Sequence, residues 1–109
     1  VAHRVVELVE DKQAYDIIML DIRQLSTIAD YFIICSTDNE RQIKAVIESV
    51  DEGIHREFDR HPRIEGTPET GWIILDFGDI VLHVFSAEQR DFYRLERLWS
   101  KAAPVVVMQ

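Results

Sequence analysis

At 109 residues the chain has room for one compact domain, and a domain of that size buries roughly two-thirds of its unfolded surface, enough for one core. Apolar residues make up 47% of it, with only 4 glycines and 3 prolines, which excludes a disordered or low-complexity chain. The 20 acids against 12 bases give a net charge of −8, a field that repels phosphate backbones and favours a basic partner over bare nucleic acid.

Ala2, Val5, Val6 and Val9 recur at three- and four-residue spacing, which predicts a helix over 1–14. The run IIMLDI predicts a buried strand over 17–22 and YFIICS a second over 31–36, with a loop or short helical turn between them. Cys35, the only cysteine, lies in the second strand. It cannot form an internal disulfide, no Cys/His spacing suits zinc, and it reads as a small core residue in a reducing compartment. Thr37 and Glu40 have capping-box spacing, in which the hydroxyl holds a backbone N–H and the carboxylate returns to the cap amide. A long helix is therefore expected from Thr37. Ile43, Val46, Ile47, Val50, Ile54 and Phe58 form its apolar stripe, and Lys44, Glu48, Glu52 and Glu57 its solvated face. Gly53 should weaken this helix by about 1 kcal/mol relative to alanine, and the helix should end before Pro62. The turn-rich segment 62–71 leaves room for a short edge strand at 63–65.

WIIL (72–75) and IVLHVF (80–85) predict a hairpin around Gly78, which supplies the positive φ that such a turn often needs. An even loop puts Ile73, Leu75, Ile80, Leu82 and Val84 on one apolar face. Trp72, Ile74, Val81, His83 and Phe85 then share the other, with Asp76 and Asp79 at its turn end. An odd loop would bury acids, so the even register is favoured. Closing the turn between Asp76 and Asp79 sets His83 opposite Trp72. Ser86 and Gln89 repeat the capping-box spacing. Phe92, Leu95, Leu98, Trp99 and Ala102 line an amphipathic helix that runs to Ala102, where Pro104 stops it. Residues 1–103 are thus read as the domain and 104–109 as an apolar tail. The order α-β-β-α-β-β-β-α predicts an α/β fold of the α+β type, a single mixed sheet with helices packed on it. No apolar run approaches the ~18 residues of a membrane span.

Asp76-Phe77-Gly78 matches the magnesium-holding tripeptide of protein kinases, but a kinase does not fit in this length and none of its other motifs is present. Asp76, Asp79 and His83 supply only part of a metal site, and capping a turn accounts for both acids. Two-metal phosphoryl transfer needs carboxylates alternating on a strand, yet the chain has no Asp-x-Asp and no Gly-Ser before a helix. No serine or cysteine nucleophile is placed beside His83. No catalytic residue, metal or cofactor is therefore assigned. Glu96 and Arg97 read as solvated and Trp99 as core, while Trp72 opens a strand on the less apolar face.

KQAYDIIMLDI (12–22), ADYFIICS (29–36), NERQIKAV (39–46), GWIILDFGDIVLHVF (71–85) and RDFYRLERLW (90–99) follow one another in an order and spacing that resemble the ribosomal silencing factor family, RsfS, also called Iojap. The resemblance runs from about Val5 to Trp99, and its last two motifs are the specific ones. It implies a nucleotidyltransferase-like topology without the catalytic motif, and a role that is not enzymatic. It also implies binding to large-subunit ribosomal protein fourteen at the face where the small subunit docks. Joining of the subunits is thereby blocked, and translation falls when nutrients are scarce. Organellar relatives act in large-subunit assembly, and family members form homodimers. Trp72, Asp76, Gly78, Asp79 and His83 match the family's hairpin motif; Arg90, Tyr93, Leu95, Glu96 and Trp99 match its helix motif. Phe77 departs, since the family more often has tyrosine there, so ring packing carries over and a hydroxyl contact does not. Ser36, Thr37 and Asp38 stand where the family often has glycine. The implied partner surface is Trp72, Asp76, Phe77, Gly78, Asp79, His83, Arg90, Tyr93 and Glu96. Its acids would pair with a basic ribosomal protein, and Trp72, Phe77 and Tyr93 would form its apolar centre. The N-terminus has no transit-like character, which points to the bacterial cytoplasm.

Overall fold

Two strands, β2 (Tyr31–Thr37) and β5 (Ile80–Ser86), run parallel through the middle of the molecule, paired from Tyr31↔Ile80 to Thr37↔Ser86. All other pairings are antiparallel. β1 (Tyr15–Asp21) flanks β2, and β4 (Trp72–Asp76) flanks β5. With β3 (Arg63–Glu65) and β6 (Ala103–Met108) at the edges they form a six-stranded mixed sheet in the order β3-β4-β5-β2-β1-β6. These relations come from a computed structural model that describes residues 1–108, the side chain of Leu98 excepted.

Both faces of the central strands are covered, which is why β2 reads as an unbroken apolar run rather than an alternating one. α1 (Ala2–Asp11) and α2 (Glu40–Phe58) pack together over one face, against Ile33, Cys35, Leu75, Leu82 and Val84. α3 (Ala87–Tyr93) and α4 (Leu95–Leu98) follow β5 over the other face, where Phe32, Ile34, Phe85 and Leu95 form a second core with Trp99 packed at its margin. Cys35 is fully buried, and burial pushes its thiol up to about 12, so it stays protonated as a core side chain.

Several local expectations are revised. The first helix ends at Asp11 rather than at Ala14, because Gln13 takes φ 65 and turns the chain directly into β1. The cap of α2 is Asn39, not Thr37: Asn39 Oδ1 accepts the Gln42 N–H at 2.8 Å, and Gln42 Oε1 accepts the Asp38 N–H at 2.6 Å. Thr37 belongs to β2, fully buried, and its hydroxyl donates to the Phe85 carbonyl at 2.9 Å. The last helix is not continuous. Arg94 adopts φ 47 and divides it into α3 and α4. Residues 104–108, read as a tail, complete the sheet, with Met19↔Val106 and Ile17↔Met108 pairs to β1. Leu98, expected to line the last helix, and Gln109 have their side chain and placement outside the described residues.

Gly53 has a packing reason. A Cβ there would lie 2.9 Å from Leu8 Cδ1, so the glycine lets α1 approach α2 closely. Alanine only nudges the flexible tip of Leu8. Gly53→Leu drives a branched side chain between the helices and is expected to lower unfolding stability by about 1–3 kcal/mol, read as a lower urea midpoint with an unchanged slope.

Candidate functional site

The hairpin closes around Gly78 and Asp79 rather than between Asp76 and Asp79. Phe77 N–H donates to the Ile80 carbonyl at 2.9 Å, and the register pairs Asp76 with Val81, Ile74 with His83 and Trp72 with Phe85. The loop count is even, so the expected face assignment holds. The pairing itself is displaced by two residues, and His83 lies across from Ile74 rather than Trp72. Gly78 takes φ 95, with nothing within 4 Å of where its Cβ would be. Its N–H donates to Asp76 Oδ1 at 2.8 Å, so Asp76 shapes the turn with its own side chain.

Both acids already hold arginines of this chain. Asp79 pairs with Arg60, whose hydrogen bond keeps the carboxyl below the usual range, and Arg60 also donates to the Phe77 carbonyl. Asp76 lies 3.4 Å from Arg63 on the edge strand β3. These exposed pairs are weak, so the two carboxylates can exchange these arginines for cations of a partner. Phe77 does not share the surface with Trp72. Its ring is turned into the helix-side core, only 8% exposed, on the same face as Ile73 and Leu75. It anchors the turn from inside.

Trp72 stands at the far end of β4 from the turn, about 13 Å away at the usual rise per residue of a strand. There Trp72 stacks on Phe85 (centroids 5.0 Å apart) and packs against Tyr93 (4.5 Å), which meets Phe92 edge-on at 5.0 Å. Tyr93 is 44% and Phe92 76% exposed, so the group forms an aromatic ledge open to solvent. Phe92 was expected to line the core. It lies in α3 with its ring outward, and Leu95, beyond the break at Arg94, is the residue that reaches the second core.

His83 is buried beneath the ledge. Trp72 Nε1–H donates to His83 Nδ1 at 3.2 Å, so the neutral ring carries its proton on Nε2, which has no partner. Burial pulls its pKa down to about 4, against a smaller upward pull from Asp76. His83 therefore orients the indole and is not available as a contact. Arg90 and Glu96, expected on the partner surface and Glu96 also as solvated, hold each other at 3.0 Å. Arg90, with its side chain 13% exposed, further donates to the Asp16 carbonyl at 2.8 Å and Ser36 Oγ at 2.9 Å, tying α3 to β1 and β2. Arg90→Ala would strip these bonds and leave the Glu96 carboxylate unpaired. The expected cost is about 2–3 kcal/mol, seen as a lower thermal midpoint.

The candidate residues thus fall into a ledge (Trp72, Tyr93, with Phe92 added), an acidic turn (Asp76, Gly78, Asp79), and supports behind them (Phe77, His83, Arg90, Glu96). Between ledge and turn, Ile74 and Val81 are half-buried. Among the described residues no group of three His, Cys, Asp or Glu side chains is placed to hold a metal ion. No helix among them is long and apolar enough to cross a membrane.

The molecule is thus an α+β domain with one mixed six-stranded sheet, parallel at its centre and covered by helices on both faces. Residues 1–109 match the family described as ribosomal silencing factor during starvation, RsfS. The chain belongs to that family. It is 37% identical over 93 residues to the Ribosomal silencing factor RsfS of Bacillus subtilis, covering 85% of this chain and 79% of that one. A solved structure of a Chromobacterium violaceum protein superposes with a TM-score of 0.86 at 32% identity, covering 91% of this chain and 82% of that one. The mouse protein named Mitochondrial assembly of ribosomal large subunit protein 1 is 30% identical over 98 residues, covering 87% of this chain but 43% of its own length.

Proposed function

We propose that this protein binds the large ribosomal subunit through large-subunit ribosomal protein fourteen and keeps the small subunit from joining it, lowering translation when nutrients are scarce. The observation that carries the reading is the aromatic ledge of half-buried Trp72 with exposed Tyr93 and Phe92, in a chain of net charge −8 that belongs to the silencing-factor family. Aromatic anchors supply the centre of an interface, and the flanking carboxylates of Asp76 and Asp79 steer it toward a basic protein rather than toward RNA. The mechanism is occlusion, which needs affinity and bulk but no turnover. The site of action is the bacterial cytoplasm, and the free chain pairs with a second copy.

The first test is sedimentation with purified subunits. The protein should travel with 50S and not with 70S, and less of it should do so at higher salt, since screening shortens the reach of the turn's charges. Reversing Asp76 and Asp79 together to lysine should weaken that binding and flatten its salt dependence; unchanged binding removes the turn from the interface. A role in large-subunit assembly is the second reading, favoured by the similarity to the mouse mitochondrial assembly protein. An assembly factor would leave the joining of mature subunits untouched.

A further inference from the structure

The two central parallel strands part company at their C-terminal ends. β2 leads into α2 on one face of the sheet, and β5 leads into α3 on the other. In open sheets, ligands bind in the crevice beyond strand ends whose connections diverge in this way. A groove of about 520 Å³ opens beside this point, reached by Ser36 of β2 and by Ala87 and Arg90 of α3. Its size falls in the range of roughly 300–1,000 Å³ usual for small-ligand sites.

Two irregular backbone positions border this groove. Asp16 takes φ 50 within a bulge of β1, where the register shifts between Tyr15 and Ile18, and Arg94 takes φ 47 between α3 and α4. Side-chain-bearing residues rarely adopt such angles, and bulges and strained positions gather at binding sites, where they re-aim side chains. Arg94 also caps the end of α3, as Asp59 caps α2, while Asp16 lies inside a strand and ends no helix.

The groove's charges are arranged in two kinds. Arg94, held loosely by Asp91 at 3.5 Å, and Arg97, in no ion pair among the described residues, offer guanidinium groups. Asp16, likewise in no ion pair there, and Glu96 Oε2, buried without a hydrogen-bond partner, offer acceptors. Ile18 and Val107 add apolar surface. A ligand that satisfies all of this is anionic at one end and carries N–H donors on a flat ring at the other. We propose that the groove binds a mononucleotide, its phosphate on Arg94 and Arg97, its ring N–H groups on Asp16 and Glu96, and its base against Ile18 and Val107. This is binding without turnover, and it stands apart from the ribosome reading.

Isothermal titration of the whole chain with ATP, GTP, inorganic pyrophosphate and a short RNA oligomer tests it. Saturable one-to-one binding of a nucleotide is expected, tighter than that of pyrophosphate, because the ring end contributes. Arg97→Ala, at an exposed position, should weaken it at least about tenfold, and Asp16→Asn should change the preference between ATP and GTP. Arg56→Ala, on the far side of α2, should leave it unchanged. No heat with any nucleotide in the millimolar range overturns the proposal, as does nucleotide binding indifferent to Arg97→Ala. Binding of the RNA oligomer alone also overturns it, in favour of a polymer contact.

Discussion

Trp72→Ala should lower affinity for the large subunit about 30-fold or more, the effect of removing an aromatic anchor worth roughly 2 kcal/mol or more at an interface centre. The size follows from how the indole is held. It stacks on buried Phe85, supports Tyr93 and is oriented by His83, so little order has to be created when a partner covers it. The substitution also touches the second core, so loss of binding has to be separated from loss of fold. Phe92→Ala makes that separation. At 76% exposed its ring contributes little to folding, so the circular dichroism and thermal midpoint should stay within error while subunit binding falls. Normal binding by both variants would move the interface off the ledge.

The second large effect is on stability, and its sign follows from His83. The folded ring titrates at about 4, below the ordinary 6.5 that the unfolded chain retains. Above pH 6.5 the imidazole is neutral in both states. As pH falls from there toward about 4, the unfolded chain takes up a proton that the folded one refuses, so unfolding becomes easier. Below about pH 4 both states are charged and the contribution levels off. The loss across that window is about 3 kcal/mol by linkage, a large share of the ~5–15 kcal/mol typical of a domain. His83→Gln keeps an acceptor for Trp72 Nε1 and does not titrate. The difference in unfolding free energy between wild type and this variant should therefore narrow or reverse as pH is lowered from 6.5 to 4. Carboxylates are common to both proteins and cancel. A difference that stays flat across the window would mean that His83 is not a buried neutral ring.

Face assignment was legible in the sequence because burial on either side of a strand forces side chains into alternate sets. Ile73, Leu75, Leu82 and Val84 could only lie together. A two-residue slip of the hairpin preserves that alternation, so the pattern could not distinguish a loop closing at Asp76 and Asp79 from the observed pairing of Asp76 with Val81. The inward position of Phe77 could have been read. It continues the 73, 75, 77 parity of the core face, but the resemblance drew it toward the surface. At the start of α2 the choice of Asn39 over Thr37 as cap is made by a neighbour distant in sequence, since the Phe85 carbonyl takes the Thr37 hydroxyl. The division at Arg94 had no local signal, because arginine is not a residue that favours a left-handed backbone. The β-branched run after Pro104 did carry a signal, since proline at the start of a strand suits an edge.

The most direct measurement mixes mature 30S and 50S subunits at an ionic condition that favours 70S, with and without the protein, and resolves them on a sucrose gradient. Occlusion predicts that the 70S peak falls and free subunits rise in step with added protein, with the protein in the 50S fractions alone, and that Trp72→Ala abolishes the effect. An undiminished 70S peak with the protein bound to it would contradict the occlusion of subunit joining.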